Sequence, residues 1–301
     1  MANRKIFTLF VILIALLFTA CVNSNKNEAS DHLDDTDMIA STKLTDENIG
    51  EMISSIPNPV EMSSLLQKSG VVYSQELLNP ANNLSGYNTN FKKALNLGVY
   101  GTDLVYMNIY DRTVATLQYL RNVKDLAGDL RVGQFFDYET LNRLSESSKN
   151  IDSVLFITNS GFDKMSRYLI DQKRSNIAVL ISYGTWIESM YIATNVQTIP
   201  PNKDIIYRRI AEQKVILENM TLLLNNYRKD PNFADLFNDL LDLIKAFDNV
   251  KIQHIYIPPT IQEINGSVVI IDNSRSEIFI TQEMVDEIAK KVSEIRTKII
   301  S

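Results

Sequence analysis

Three acidic side chains stand alone in stretches that are otherwise almost free of charge. Asp103 is the sole charge of residues 94–110 (ALNLGVYGTDLVYMNIY), Glu188 that of residues 177–196, and Asp152 that of residues 151–162 (IDSVLFITNSGF). A lone ionised carboxylate inside a protein is costly unless it is paired or hydrogen-bonded. Groups able to satisfy it lie nearby: Asn96, Tyr100, Tyr106, Asn108 and Tyr110 around Asp103, and Tyr183, Trp186 and Tyr191 around Glu188. On a helix, Asn96, Tyr100, Asp103, Met107 and Tyr110 fall on one stripe. Two readings stay open. In one, Asn96, Tyr100, Asp103, Tyr183, Glu188 and Tyr191 form a buried polar pocket, with the two acids facing a ligand or working as an acid–base pair. In the other, the same residues are a buried hydrogen-bond network that fixes helix register. Asp152 follows Asn150 and also suits a local helix cap.

Other chemistries are poorly supplied. The chain has two histidines, His32 and His254, and one cysteine, Cys21. That argues against a Cys/His zinc site, a di-iron bundle and any disulfide framework, and no metal or cofactor is expected. No phosphate loop, G-x-S-x-G or H-E-x-x-H occurs. A formal charge of −6 without a basic block argues against nucleic acid as a partner.

The elements that must position these acids are helices. With 301 residues, 45% hydrophobic and 22% charged, the composition is that of an ordinary globular chain. A helix apolar on nearly every side must be covered on nearly every side, so residues 94–110 belong at the centre of the fold. Gly98, Gly101 and Gly184 then mark close helix contacts. The partner helix over 113–130 should turn Val114, Leu117, Leu120, Val123 and Leu126 inward. Further helices are expected over 45–55, 59–68, 138–149, 151–174, 177–196, 204–228 and 231–247. The run 177–196 has the length of a membrane span, yet Ser182, Thr185, Glu188, Ser189, Thr194 and Asn195 are too many polar groups for lipid. After residue 250 the pattern changes. Alternation over 252–257, and Asn265-Gly266 between two β-branched runs, predict strands and a hairpin. Thr281 should cap a final helix. The fold class is therefore mainly α, a multi-helix bundle over 44–250, with residues 251–301 a small C-terminal β-hairpin and helix packed on it.

The amino end carries an address. Arg4 and Lys5 precede an unbroken apolar run from Ile6 to Phe18, so residues 1–20 read as a signal peptide. Leu17-Phe18-Thr19-Ala20-Cys21 resembles the lipobox of bacterial lipoproteins, with Phe18 where Leu is usual. The resemblance implies cleavage before Cys21 and lipid attachment to its thiol. Residues 21–43 are polar and read as a disordered tether reaching roughly 25–30 Å. Val22 is not the aspartate that signals inner-membrane retention in enterobacterial lipoproteins, which implies the outer membrane.

Ile56-Pro57-Asn58-Pro59, the run from Lys93 to Leu104 and the Trp186–Tyr191 region resemble all-helical lipoproteins of bacteria with an outer membrane, a family to which no activity is assigned. The expectation is a lipid-anchored envelope protein, on the periplasmic or the surface face. It would be a non-catalytic binding or interaction module that takes a small ligand or an envelope protein. The alternatives are a hydrolase-like enzyme using the buried carboxylates, and a structural subunit of an envelope complex.

Overall fold

The computed structural model describes residues 43–136, 151–197, 202–264, 267–271 and 273–301. The signal peptide, Cys21, most of the tether, the expected helix over 138–149 and the Asn265-Gly266 turn lie outside the described residues. Nine α-helices occur among those described: α1 (Asp46–Ser54), α2 (Pro59–Lys68), α3 (Asn90–Ile109), α4 (Thr113–Asp129), α5 (Ile151–Asp171), α6 (Ser175–Asn195), α7 (Lys203–Asn225), α8 (Pro231–Phe247) and α9 (Gln282–Ile300). The protein is mainly α, as its hydrophobic periodicity requires.

Caps set the helix starts. Thr45 accepts from the Asn48 N–H at 3.1 Å and forms a capping box with it. Pro59 occupies the first turn of α2 behind the Asn58 cap. Gly70, at φ +78°, ends α2 in the left-handed conformation that glycine adopts without steric cost. Thr281 caps α9 through the Met284 N–H.

The centre is the crossing of α3 and α6, both buried along most of their length. Leu97, Leu104 and Ile181 are all in the core. Glycine permits the close approach. A Cβ on Gly98 would lie 2.1 Å from the Ile181 carbonyl oxygen, and one on Gly184 would lie 2.0 Å from that of Leu95. Gly101 instead faces the Phe162 ring of α5. Helices α4, α5, α7 and α9 surround this pair, with α1 and α2 at one side and α8 behind α7 and α9. No described helix is long and apolar enough to cross a membrane.

The inward stripe expected of α4 is only partly right. Leu120, Val123 and Leu126 are buried, but Leu117 is 55% exposed because it is turned away from α3; Val114 lies among the side chains not described. The tail forms two antiparallel ribbons. Strand β1 (Lys251–Ile255) pairs with β4 (Arg275–Phe279), and β2 (Thr260–Ile264) with β3 (Ser267–Ile271). Helix α9 packs on α6, α8 and α3, while Ile261 and Ile270, opposite each other on β2 and β3, stay exposed.

Candidate functional site

Asp103 of α3 and Glu188 of α6 face each other across the glycine-lined crossing, and both are 0% exposed. The cation that balances them is Arg296 of α9. Its Nε donates to Glu188 Oε2 and its Nη2 to Oε1, each at 2.8 Å. The same Nη2 donates to the Leu77 carbonyl at 3.0 Å. The guanidinium also lies 4.0 Å from the centre of the Tyr191 ring. One buried bidentate pair therefore ties α9 to α6 and to the loop before α3.

Asp103 holds the other end of that loop. Its Oδ2 accepts from the backbone N–H of Asn79 at 3.1 Å, and its Oδ1 meets no donor. Burial pushes its carboxyl well above the usual carboxylate range. The Glu188 charge adds to the rise, Arg296 opposes it, and a hydrogen bond with Glu188 raises it further. A proton on Asp103, shared with Glu188, gives Oδ1 its missing role. The cluster then carries one negative and one positive charge. Burial works against the charge of Arg296, but the hydrogen bonds and attraction of Glu188 outweigh it and hold the guanidinium protonated.

Asn79 is the hub of the surrounding polar groups. Its Nδ2 donates to Tyr87 Oη at 3.0 Å and to Asn96 Oδ1 at 3.3 Å. Tyr119 Oη donates to its carbonyl at 2.9 Å. Tyr100 Oη donates to the Pro80 carbonyl at 2.9 Å, and Asn96 Nδ2 to that of Ile299 at 2.9 Å. Of the residues the sequence singles out, Asn96, Tyr100, Asp103, Glu188 and Tyr191 thus meet around the 77–80 loop and the end of α9. Tyr183 does not join them. Its hydroxyl is buried without a partner, and the charge acting on it is that of Asp239. The Asp152 side chain lies outside those described. Sequence reasoning missed Arg296 and Asn79. The signal for Arg296 was available: it stands four residues after Val292 and three before Ile299, within the apolar stripe of α9.

The open space lies elsewhere. A cleft of about 640 Å³ runs between the α1–α2 corner, α5 and the outer side of the α3–α6 crossing. Its floor is Gly101, Thr102 and Val105 of α3, with Ala178, Ile181, Ser182 and Thr185 of α6. Phe162, Met165, Ser166 and Ile170 form one wall, and Ile53, Ile56, Pro57 and Pro59 the other. Asp103 and Glu188 are not among its lining. Ser166 Oγ, in the wall, is buried without a hydrogen-bond partner. Both size and lining are those of a small-molecule site: mostly apolar, with a few hydroxyls. The described residues contain no group of three acidic, His or Cys side chains placed to hold a metal.

No protein family, curated protein or solved structure matches the chain.

Proposed function

We propose that this is a lipid-anchored protein of the cell envelope whose helical unit is a non-catalytic binding module, with the cleft beside the α3–α6 crossing as its binding site. The single observation that carries the reading is the separation of the two features. The acids able to do chemistry are sealed in a paired network, while the open cleft is walled by apolar side chains and hydroxyls. The buried acids act as a lock on the 77–80 loop and α9, which keeps the floor of the cleft rigid. The lipobox-like sequence around Cys21 supports anchoring, with the outer membrane as the favoured location. The test is to purify the full chain from envelopes and assay it for a bound small molecule. A stoichiometric ligand lost from Ser182→Phe, which fills the cleft, supports the reading. Equal loading of both proteins, or no small molecule on either and none taken up from envelope extracts, would overturn it.

One observation favours a second reading, a structural subunit. Ile261 and Ile270 are 72% and 69% exposed on the β2–β3 ribbon, an apolar pair open to a partner chain. If they dock, Ile261→Glu with Ile270→Glu should reduce the size of the detergent-solubilised species. An unchanged size would remove this alternative.

A further inference from the structure

The mouth of the cleft carries a charge pattern that the apolar interior does not need. Three carboxylates from three elements line it, Glu51 of α1, Glu61 of α2 and Asp163 of α5, against a single lining cation, Arg167. Their claims elsewhere are weak. Glu61 meets Arg209 only at 3.9 Å, and Arg209 sits nearer Glu212, at 3.5 Å. No ion pair joins Asp163 to Arg167 one turn away. Deeper in, the buried Ser166 Oγ has its hydrogen-bonding capacity unspent, which in a native structure calls for an explanation.

On the reading of the cleft as a binding site, we propose that its ligand is an amphipathic cation: an apolar body seated on the α3–α6 floor, with a positively charged group held at the acidic mouth. The apolar walls supply most of the affinity through burial. The carboxylates at the mouth select the sign of the head group and speed encounter, and salt weakens both effects. A polar atom part-way along the ligand would meet the Ser166 hydroxyl, which then gains the partner it lacks. An anionic amphiphile of the same size would bring its charge against a net negative rim.

The experiment uses the full chain in phosphatidylcholine vesicles, with empty vesicles as the blank. Trp186, the sole tryptophan, follows the floor residue Thr185 and reports binding by fluorescence. The probes are hexyltrimethylammonium, hexanol and hexanesulfonate, matched in chain length. The cation is expected to bind saturably and about tenfold more tightly than the sulfonate at low salt. That preference should fall to about twofold in Glu51→Gln with Asp163→Asn, and Ser182→Phe should abolish saturable binding of all three. Equal or tighter saturable binding of the sulfonate would overturn the charge selection while leaving the cleft as a binding site. Failure of every probe to bind saturably, or binding untouched by Ser182→Phe, would overturn the cleft reading and this inference with it.

Discussion

Replacing Arg296 by Met removes the cation from a site in which Glu188 has no access to water. The side chain lost makes two charge-assisted bonds of 2.8 Å to Glu188, a 3.0 Å bond to the Leu77 carbonyl and a stacked contact with Tyr191. The dominant cost is the carboxylate left behind, since breaking a buried pair by removing one partner costs roughly 3–5 kcal/mol. Against a total stability of about 5–15 kcal/mol this is a large fraction. It corresponds to a fall in Tm of roughly 6–20 °C for a unit of this size. The control is Glu188→Gln with Arg296→Met, where no charge is stranded. Methionine fills much of the arginine stem's volume, so the double variant should lie within about 1–2 kcal/mol of wild type, with a strong favourable coupling between the two changes. Urea unfolding followed by circular dichroism and Trp186 fluorescence reads both. A single variant within about 1 kcal/mol of wild type, or a double variant no better than the single, would refute the reasoning.

Further outcomes follow from the same packing. The folded chain retains a proton on Asp103 that the unfolded chain releases. Stability from this group is therefore full below the ordinary carboxylate range and is lost as pH rises towards the folded pKa. Asp103→Asn keeps a donor for Glu188 and an acceptor for the Asn79 N–H, so its stability should decline less over that range; parallel curves would contradict the assignment. Gly98→Ala and Gly184→Ala should each cost about 1–3 kcal/mol or more, because the new methyl meets backbone that cannot swing aside. Gly128→Ala in α4 meets open space and should be neutral or stabilising by up to about 1 kcal/mol. Equal effects on thermal unfolding would show that the helix crossing is not set by close contact. In Cys21→Ser, incorporation of labelled palmitate into the chain should vanish, and persisting label would refute the anchor.

Much of the fold was legible because burial leaves a mark on composition. The runs around Asp103 and Glu188 are too apolar to meet solvent, so they had to lie at the centre, and their glycines had to serve a close contact. The hairpin pairing of β2 with β3 followed from β-branched alternation about Asn265-Gly266. What stayed hidden depends on which way a helix turns. Leu117 fits the α4 stripe by spacing but faces water, as do Val215 and Leu222 of α7. Arg296 was hidden among Lys290, Lys291, Glu294 and Lys298, since α9 looks like any charged surface helix unless its apolar stripe is traced through the arginine. Asn79 looked like a loop marker before Pro80, and nothing local shows that Tyr87, Asn96, Tyr100, Asp103, Tyr119 and Arg296 converge on its loop. The cleft is built from five helices, α1, α2, α3, α5 and α6, and no periodicity encodes it.

The most direct measurement concerns the proton between the two acids. Carbon-13 NMR of the aspartate side-chain carboxyls, with Asp103 assigned by its loss in Asp103→Asn, reports protonation across the pH range in which the chain stays folded. The lock described here predicts that Asp103 keeps its proton well above the ordinary carboxylate range. An Asp103 signal that titrates within the ordinary carboxylate range would mean that water reaches the pair. It would return Asp103 and Glu188 to the open surface as candidates for chemistry.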